Sequence, residues 1–348
     1  MTLRYIGSKS RLHQELSSFI SAPNGGRFVD AFCGMGSVAL MAAEKGWPIL
    51  LNDHLHYAIT ISRARLLSQP EIAFSYWGGY DQAIATLNDL EGIHGTVWTE
   101  YSPASLQASE AHIERRYFTE ANASRIDAIR AAIQEWRDQG FIEEQEFTLL
   151  IADLLEAANK VANIAGTYGC FLSKWTSQSQ RTLQLQSRPL REHLVSVEWH
   201  VGDVKQAIIK PSDTVYMDPP YTKRQYASYY HLLETITLGD HPIVEGVAGL
   251  RPWQHLASDF CYKRKALQAL STLIHNCPAH RLLLSYSNEG HVDLTELQQA
   301  LHDLGTIETH PLKTIGRYRP NVTASATGAS VKEYMMVIER HAPGDKAA

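Results

Sequence analysis

Long apolar runs are missing from this sequence. Nowhere do its 348 residues approach the roughly 20 consecutive apolar residues that a membrane helix needs. The opening Met1-Thr2-Leu3-Arg4-Tyr5-Ile6-Gly7-Ser8-Lys9 lacks the apolar core of a secretion signal. No membrane partner is expected, and a cytoplasmic location is the default. Cysteine is scarce: Cys33, Cys170, Cys261 and Cys277 are scattered, without paired ligand spacing, and the 16 histidines form no HExxH pattern. Reduced, mostly buried thiols and no metal follow. A basic excess is absent as well, since the net charge is −5. That total argues against a nucleic-acid binder, but the distribution does not. Residues 161–191 contain no acid and carry Lys174, Arg181, Arg188 and Arg191. Residues 309–332 are also acid-free and carry Lys313, Arg317, Arg319 and Lys332. A globally acidic chain can present a basic cleft while acidic outer faces keep it soluble.

What is present is an ordinary globular composition, 44% hydrophobic and 20% charged, with length enough for a large domain plus a second lobe. Helical spacing over residues 10–20 precedes a short strand, Arg27 to Phe32. The turn Cys33-Gly34-Met35-Gly36-Ser37 follows, then a helix closing at Gly46 and a second buried strand, Pro48 to Asp53. Strand, glycine turn, helix, strand and acid open a doubly wound α/β fold. From about 70 to 195 the rhythm changes to two long helical patterns, roughly 124–139 and 143–162, and a polar loop-rich stretch, 163–189. The α/β pattern returns with strands at 197–203, 213–217 and 281–287, helices at 256–276 and 292–305, and a last strand at 330–339. The expected domains are a catalytic part, 1–69 and 195–340, an inserted lobe, 70–194, and a tail, 341–348.

Glycines after a strand let a backbone approach a ligand and turn a helix amino terminus toward charge. A lone Gly-x-Gly is as well explained by a tight turn. Asp53 ends the next strand 17 residues after Gly36, near the spacing at which an acid takes the ribose hydroxyls of a nucleoside. NAD and S-adenosylmethionine (SAM) both present that ribose. The stretch Asp218-Pro219-Pro220-Tyr221 discriminates. Here an apolar strand, Val215-Tyr216-Met217, delivers a carboxylate, two prolines that hold the turn rigid, and an aromatic ring. A hydride-transferring enzyme has no use for such a turn. Methylating an exocyclic amine requires acceptors for its hydrogens, and the Asp218 carboxylate and Pro219 carbonyl supply them, with Tyr221 stacking on the base.

These residues, in this order, resemble the Dam-like adenine-N6 DNA methyltransferases, in which the SAM motifs precede Asp-Pro-Pro-Tyr. The resemblance runs from residue 4 to about 340 and is diffuse between 70 and 160. It implies an α/β, doubly wound, Rossmann-like SAM-dependent methyltransferase fold with a mostly helical inserted target-recognition lobe. It implies that Tyr5, Gly7 and Lys9 help hold the methionine end of SAM. Asp30, Phe32, Gly34 and Gly36 correspond to the Phe-x-Gly-x-Gly motif, Asp53 to the ribose acid and Asp203 to the acid near the cofactor adenine. Asp218 belongs to both cofactor and catalytic sets, and Pro219, Pro220 and Tyr221 complete the latter. The implied partner is double-stranded DNA, with a cognate restriction endonuclease as companion, in a bacterial or phage setting associated with the nucleoid.

Target reading is expected from Asn163, Gln178, Gln180, Arg181, Gln184, Gln186, Arg188 and Arg191, since Arg and Gln read guanine and adenine edges and also hold phosphate. Lys174 belongs to the same acid-free stretch. Lys223 and Arg224 would clamp the flipped nucleotide, and Arg317 and Arg319 contact the DNA backbone. His231 and Glu234, at helical spacing, form a structural pair rather than an acid–base couple. The competing readings are an RNA adenine methyltransferase and a catalytically silent DNA-binding protein. An N4-cytosine enzyme is disfavoured because that reaction more often uses Ser in place of the Asp.

Overall fold

The computed structural model describes residues 12–312 and 332–341. Two compact units emerge, one from the described parts of 8–62, 195–225 and 257–348, the other from 63–194 and 226–256.

The first unit is built on one sheet. Strands β1 (Phe28–Asp30), β2 (Ile49–Asp53), β3 (Val197–Val201), β4 (Thr214–Met217) and β5 (Arg281–Ser287) run parallel. Strand β7 (Glu333–Arg340) pairs antiparallel with β5, and β6 (Gly305–Pro311) antiparallel with β7. The spatial order is β3-β2-β1-β4-β5-β7-β6. Val29 faces Leu50 on one side and Val215 on the other, and Asp30 faces Leu51 and Tyr216. Parallel strands covered on both faces must be apolar throughout, and β1 and β4 are buried at every residue. Helices α1 (His13–Phe19), α2 (Ser37–Glu44), the first part of α3 (His56–Leu66), α11 (Ala266–Asn276) and α12 (Leu294–Ala300) belong to the same unit. Leu270, Leu273 and Ile274 of α11 and Leu297 of α12 join Val215, Leu282, Leu284 and Met336 in one core. Each such side chain contributes roughly 1.5–3 kcal/mol on burial. Because β1 neighbours β2 on one side and β4 on the other, the strand order reverses there. Open α/β sheets bind their ligands at that switch point, beyond the carboxyl ends of the strands.

At the opposite end of the strands Arg27 ties the sheet together. Its guanidinium contacts Asp213 at 2.8 Å and Glu198 at 2.7 Å, and donates to the Ile208 carbonyl at 2.7 Å. Asp213 is buried, yet the Arg27 hydrogen bond and the Lys210 and Arg27 amides together outweigh burial and hold its carboxyl below the usual range.

The second unit is helical: α4 (Tyr80–Asn88), α5 (Thr96–Tyr101), α6 (Ser105–Ala108), α7 (Glu120–Asp138), α8 (Glu144–Val161), α9 (Tyr226–Tyr229) and α10 (His231–Leu238). Side chains satisfy its helix ends. Thr119 accepts from the Asn122 amide at the start of α7. Asp127 accepts from the Gly95, Val97 and Trp98 amides where α5 begins. Arg130 donates to the Ile236, Thr237 and Leu238 carbonyls where α10 ends. That last contact holds 226–256 within the helical unit, a stretch the sequence pattern assigns to the α/β part.

Two expected helices differ, and one strand is new. The helix predicted over 256–276 exists only from Ala266. Before it lie two 3-10 turns, Gln254–Leu256 and Asp259–Cys261. The Gln225 carboxamide accepts from Ser258 N–H at 2.9 Å and donates to its carbonyl at 3.2 Å, so a helix there would lose both groups. The helix predicted over 292–305 stops at Ala300, and the strand β6 that follows was not anticipated. Among the described residues no helix is long and apolar enough to cross a membrane.

Candidate active site

The carboxyl ends of β3, β2, β1 and β4 carry, in that spatial order, Asp203, Asp53, Asp30 and Asp218. Asp30 is wholly buried. Its Oδ2 accepts from Ala39 N–H at 3.2 Å, capping α2 from the strand, and its Oδ1 has no hydrogen-bond partner among the described residues. Burial first, then the charges of Asp218 and Asp53, overcome the Ala39 hydrogen bond and push the Asp30 carboxyl up to about 8. The Cys33 thiol is raised for the same reasons, burial before Asp53 and Asp30.

Gly34 and Gly36 have φ of +48° and +68°, the left-handed region that favours glycine. A Cβ on Gly36 would lie 2.8 Å from Ser62, whose hydroxyl donates to the Gly34 carbonyl at 3.1 Å. Asp53 accepts from Gly34 N–H at 3.0 Å and from Leu55 N–H at 3.1 Å. Asp203 caps the following 3-10 turn by accepting from Lys205 N–H at 3.0 Å. Phe32 meets Phe260 edge to face, with centroids 5.6 Å apart.

Past β4, Pro219 is buried and Asp218, Pro220 and Tyr221 are half-buried. The Tyr221 ring lies edge to face with Tyr286, centroids 5.6 Å apart, and its hydroxyl donates to Glu333 at 3.4 Å. Its carbonyl accepts from His291 N–H at 2.9 Å. Burial, with Asp218 and Glu333, raises the phenol well above its ordinary pKa. Lys223 and Arg224 are exposed just beyond, on a loop held by the Gln225–Ser258 pairing and by the Cys261 thiol donating to the Arg224 carbonyl at 3.2 Å.

In the helical unit, Lys174 and Arg181 are exposed and Arg191 is half-buried. Arg188 is committed elsewhere. Its Nε lies 2.7 Å from the buried Asp153, and a second nitrogen 3.6 Å from Glu156. An ion pair so placed does not open toward phosphate without leaving Asp153 buried and unpaired. Asn163 is also spent internally, on the Arg116 and Leu172 carbonyls and the Thr176 amide. His231 is buried, with Nε2 donating to the Tyr168 carbonyl at 2.9 Å. Burial pushes its imidazole down to about 4, and a neutral ring holding a carbonyl is a structural group. Tyr5, Gly7, Lys9, Arg317 and Arg319 lie outside the described residues. Among the described residues no group of three or more His, Cys, Asp or Glu is placed to hold a metal ion.

Residues 5–297 match the family described as D12 class N6 adenine-specific DNA methyltransferase. The chain belongs to that family. It is 30% identical over 347 residues to modification methylase StsI of Streptococcus sanguinis and 31% identical over 344 residues to type II methyltransferase M.FokI of Planomicrobium okeanokoites. Each alignment takes in 97% of this chain but only 52% and 53% of those relatives. It is 29% identical to type II methyltransferase M.NlaIII of Neisseria lactamica, over 97% of this chain and 99% of that protein. The chain thus spans about half the length of the first two.

In this D12-class chain the side chains that steady the site escaped sequence reasoning. Asn52 donates to the Ala31 carbonyl at 2.9 Å and meets His200 Nδ1 at 2.7 Å. Gln225, Cys261, His291 and Glu333 hold the segment after Asp218. Only Asn52, beside Asp53 at the end of β2, stood where a sequence signal could have flagged it.

Proposed function

We propose that this chain transfers a methyl group from S-adenosylmethionine to the N6 amine of adenine in double-stranded DNA, after flipping the base out of the stack. Family membership supports the reaction class, and the placement of Asp218-Pro219-Pro220-Tyr221 at the end of β4, beside the switch point, carries the reading.

The residues at the carboxyl ends of the strands fit the cofactor. Gly34 and Gly36 adopt conformations open to glycine, and Oδ1 of Asp30, without a hydrogen-bond partner among the described residues, offers a buried hydrogen-bonding oxygen to a ligand. Asp53 would hold the ribose, Asp203 the adenine end, and Tyr5, Gly7 and Lys9 the methionine end. S-adenosylmethionine, when bound, supplies an electrophilic methyl group. The amine lone pair of adenine is delocalised into its ring. Asp218 and the Pro219 carbonyl accept its two hydrogens and hold the nitrogen toward sp³ geometry. Tyr221 stacks on the flipped ring. Its own ring is locked by Tyr286 and its hydroxyl by Glu333, so little orientational freedom remains to be lost on binding. The proton released by the methylated amine goes to solvent. Lys223 and Arg224 would neutralise the phosphate of the flipped nucleotide, and Lys174, Arg181 and Arg191 would each be available to DNA phosphate. The relatives' names, modification methylase and type II methyltransferase, support a cytoplasmic role in restriction-modification beside a cognate endonuclease.

Labelled methyl transfer to duplex DNA and to RNA, measured in parallel, tests the reading. Transfer to DNA that Asp218→Ala reduces by two orders of magnitude or more is expected. A variant within tenfold of the parent would overturn the role of Asp218, and preference for RNA would overturn the substrate.

A further inference from the structure

Residues 181–187 form no strand or helix, yet their backbone is pinned at alternate positions by side chains of the helical unit. Asn122 of α7 accepts from Leu183 N–H at 2.8 Å and donates to the Arg181 carbonyl at 2.8 Å. Asn88, the last residue of α4, accepts from Leu185 N–H at 2.9 Å and donates to the Leu185 carbonyl at 3.0 Å. Tyr80 then receives the Arg188 amide at 3.2 Å, and Asp153 takes the Arg188 side chain at 2.7 Å. Two carboxamides thus do for this segment what a neighbouring strand does in a sheet.

Burial follows the same period. Leu183 and Leu185 point inward, at 0% and 3% exposure, while Thr182, Gln184 and Gln186 are exposed. Gln186 accepts from Lys160 at 2.9 Å; Gln184 has no hydrogen-bond partner among the described residues. A period of two means an extended backbone, which carries successive outward side chains about 6.6–6.8 Å apart. That is close to two nucleotide steps of about 3.4 Å along a DNA strand. The surrounding stretch, 161–191, holds no acid. A polar segment with no internal ladder costs conformational entropy to order. Four anchoring side chains spent on it, with amides facing out, fit a rail displayed for a partner rather than a solvated loop.

Resting on the proposed DNA substrate, we propose that Thr182, Gln184 and Gln186 are the base-reading face of this protein. Gln184 makes the bidentate contact with an adenine N6 and N7 edge, and Asn88 and Asn122 are positioning residues that hold the rail in register.

The test is selection of bound duplexes from a randomised pool, run together with mapping of methylated adenines, for the full chain and its variants. Gln184→Ala, an exposed change that leaves the anchors intact, should loosen selection at one base-pair position and lower kcat/KM on the parent's preferred duplex by roughly tenfold. Affinity for S-adenosylmethionine should stay within twofold. Asn122→Ala should loosen selection in the same region, and Asn122→Asp, which keeps the acceptor for Leu183 but loses the donor to Arg181, should fall between. A loss of stability with unchanged sequence preference would overturn the positioning role. Unchanged selection and rate in Thr182→Ala, Gln184→Ala and Gln186→Ala would overturn the rail. A parent that selects a motif which Gln184→Ala alters, but methylates no adenine, would sink the proposed reaction and leave the rail standing.

Discussion

The backbone N–H of Gly34 donates to Asp53 at 3.0 Å. The glycine turn and the acid expected to take the ribose are therefore one unit, because the carboxylate that would face the ligand also closes the loop that would cradle it. Asp53→Ala should weaken S-adenosylmethionine binding by tenfold or more, since it removes the anchor of Gly34 and Leu55 along with the ribose acceptor. Asp53→Asn should lie between, keeping a single acceptor oxygen. Titration calorimetry would show the order; equal affinity in all three would remove Asp53 from the cofactor site.

Tyr221 separates ring from hydroxyl. If the ring stacks on the flipped base, Tyr221→Ala should lose roughly 1–3 kcal/mol of stacking, read as a drop in kcat/KM on DNA. Tyr221→Phe keeps the ring and gives up the hydroxyl with its Glu333 contact, so its loss should be a few-fold. A phenylalanine variant as poor as alanine would argue against stacking.

Gly36 meets two constraints, its φ of +68° and the 2.8 Å approach that a Cβ would make to Ser62. Gly36→Ala should cost about 1–3 kcal/mol for the backbone alone, with more from displaced α3. A thermal melt unchanged from the parent would contradict the turn geometry.

Asp30 predicts a pH dependence. Burial, reinforced by Asp218 and Asp53, raises its carboxyl to about 8, so the folded chain keeps a proton that the unfolded chain gives up. Its contribution to stability is complete below the ordinary carboxylate range and is lost as pH rises toward about 8. Asp30→Asn, which retains an acceptor for Ala39, should therefore gain on the parent in melting temperature across that interval. A constant difference between the two proteins would show that Asp30 does not carry this proton.

Asp213 has the opposite sign. Held low by Arg27 and two amides against the cost of burial, it stabilises the fold at neutral pH, and that contribution fades as pH falls below the carboxylate range. Arg27→Met should cost about 3–5 kcal/mol near neutrality by leaving a buried charge unpaired. The gap should close in acid, as followed by urea unfolding at several pH values.

The parts of the fold legible in the sequence are those whose signals are local. Phe28 to Asp53 announces itself because strand, glycine turn, helix and acid fall within 26 residues, and Asp218-Pro219-Pro220-Tyr221 because proline constrains its own neighbours. Of the inserted helices the two long ones were visible in their apolar period, α7 and α8 differing from expectation only near their ends, while the short α4, α5 and α6 were not. Hidden features depend on partners far along the chain. The Gln225 carboxamide unwinds 258, 33 residues away. Arg188 looked like a cation for DNA until Asp153, 35 residues earlier, claimed it. Strand β6 carries one Ile among Thr, Glu and His and is half-exposed, so no apolar run marked it. The alternation of Leu183 and Leu185 was visible but too short to read without Asn88 and Asn122.

Strand β7 is made after both strands it joins, since it slots between β5 and β6. On a ribosome, a chain that has reached residue 312 holds β6 with no partner and β5 with a bare, leucine-rich edge, the kind of edge that pairs with other chains. Glu333, the partner of the Tyr221 hydroxyl, arrives only with that last strand. The ring proposed to grip a base is therefore secured only once residue 333 has been made, so a nascent chain would be sticky before that contact could form.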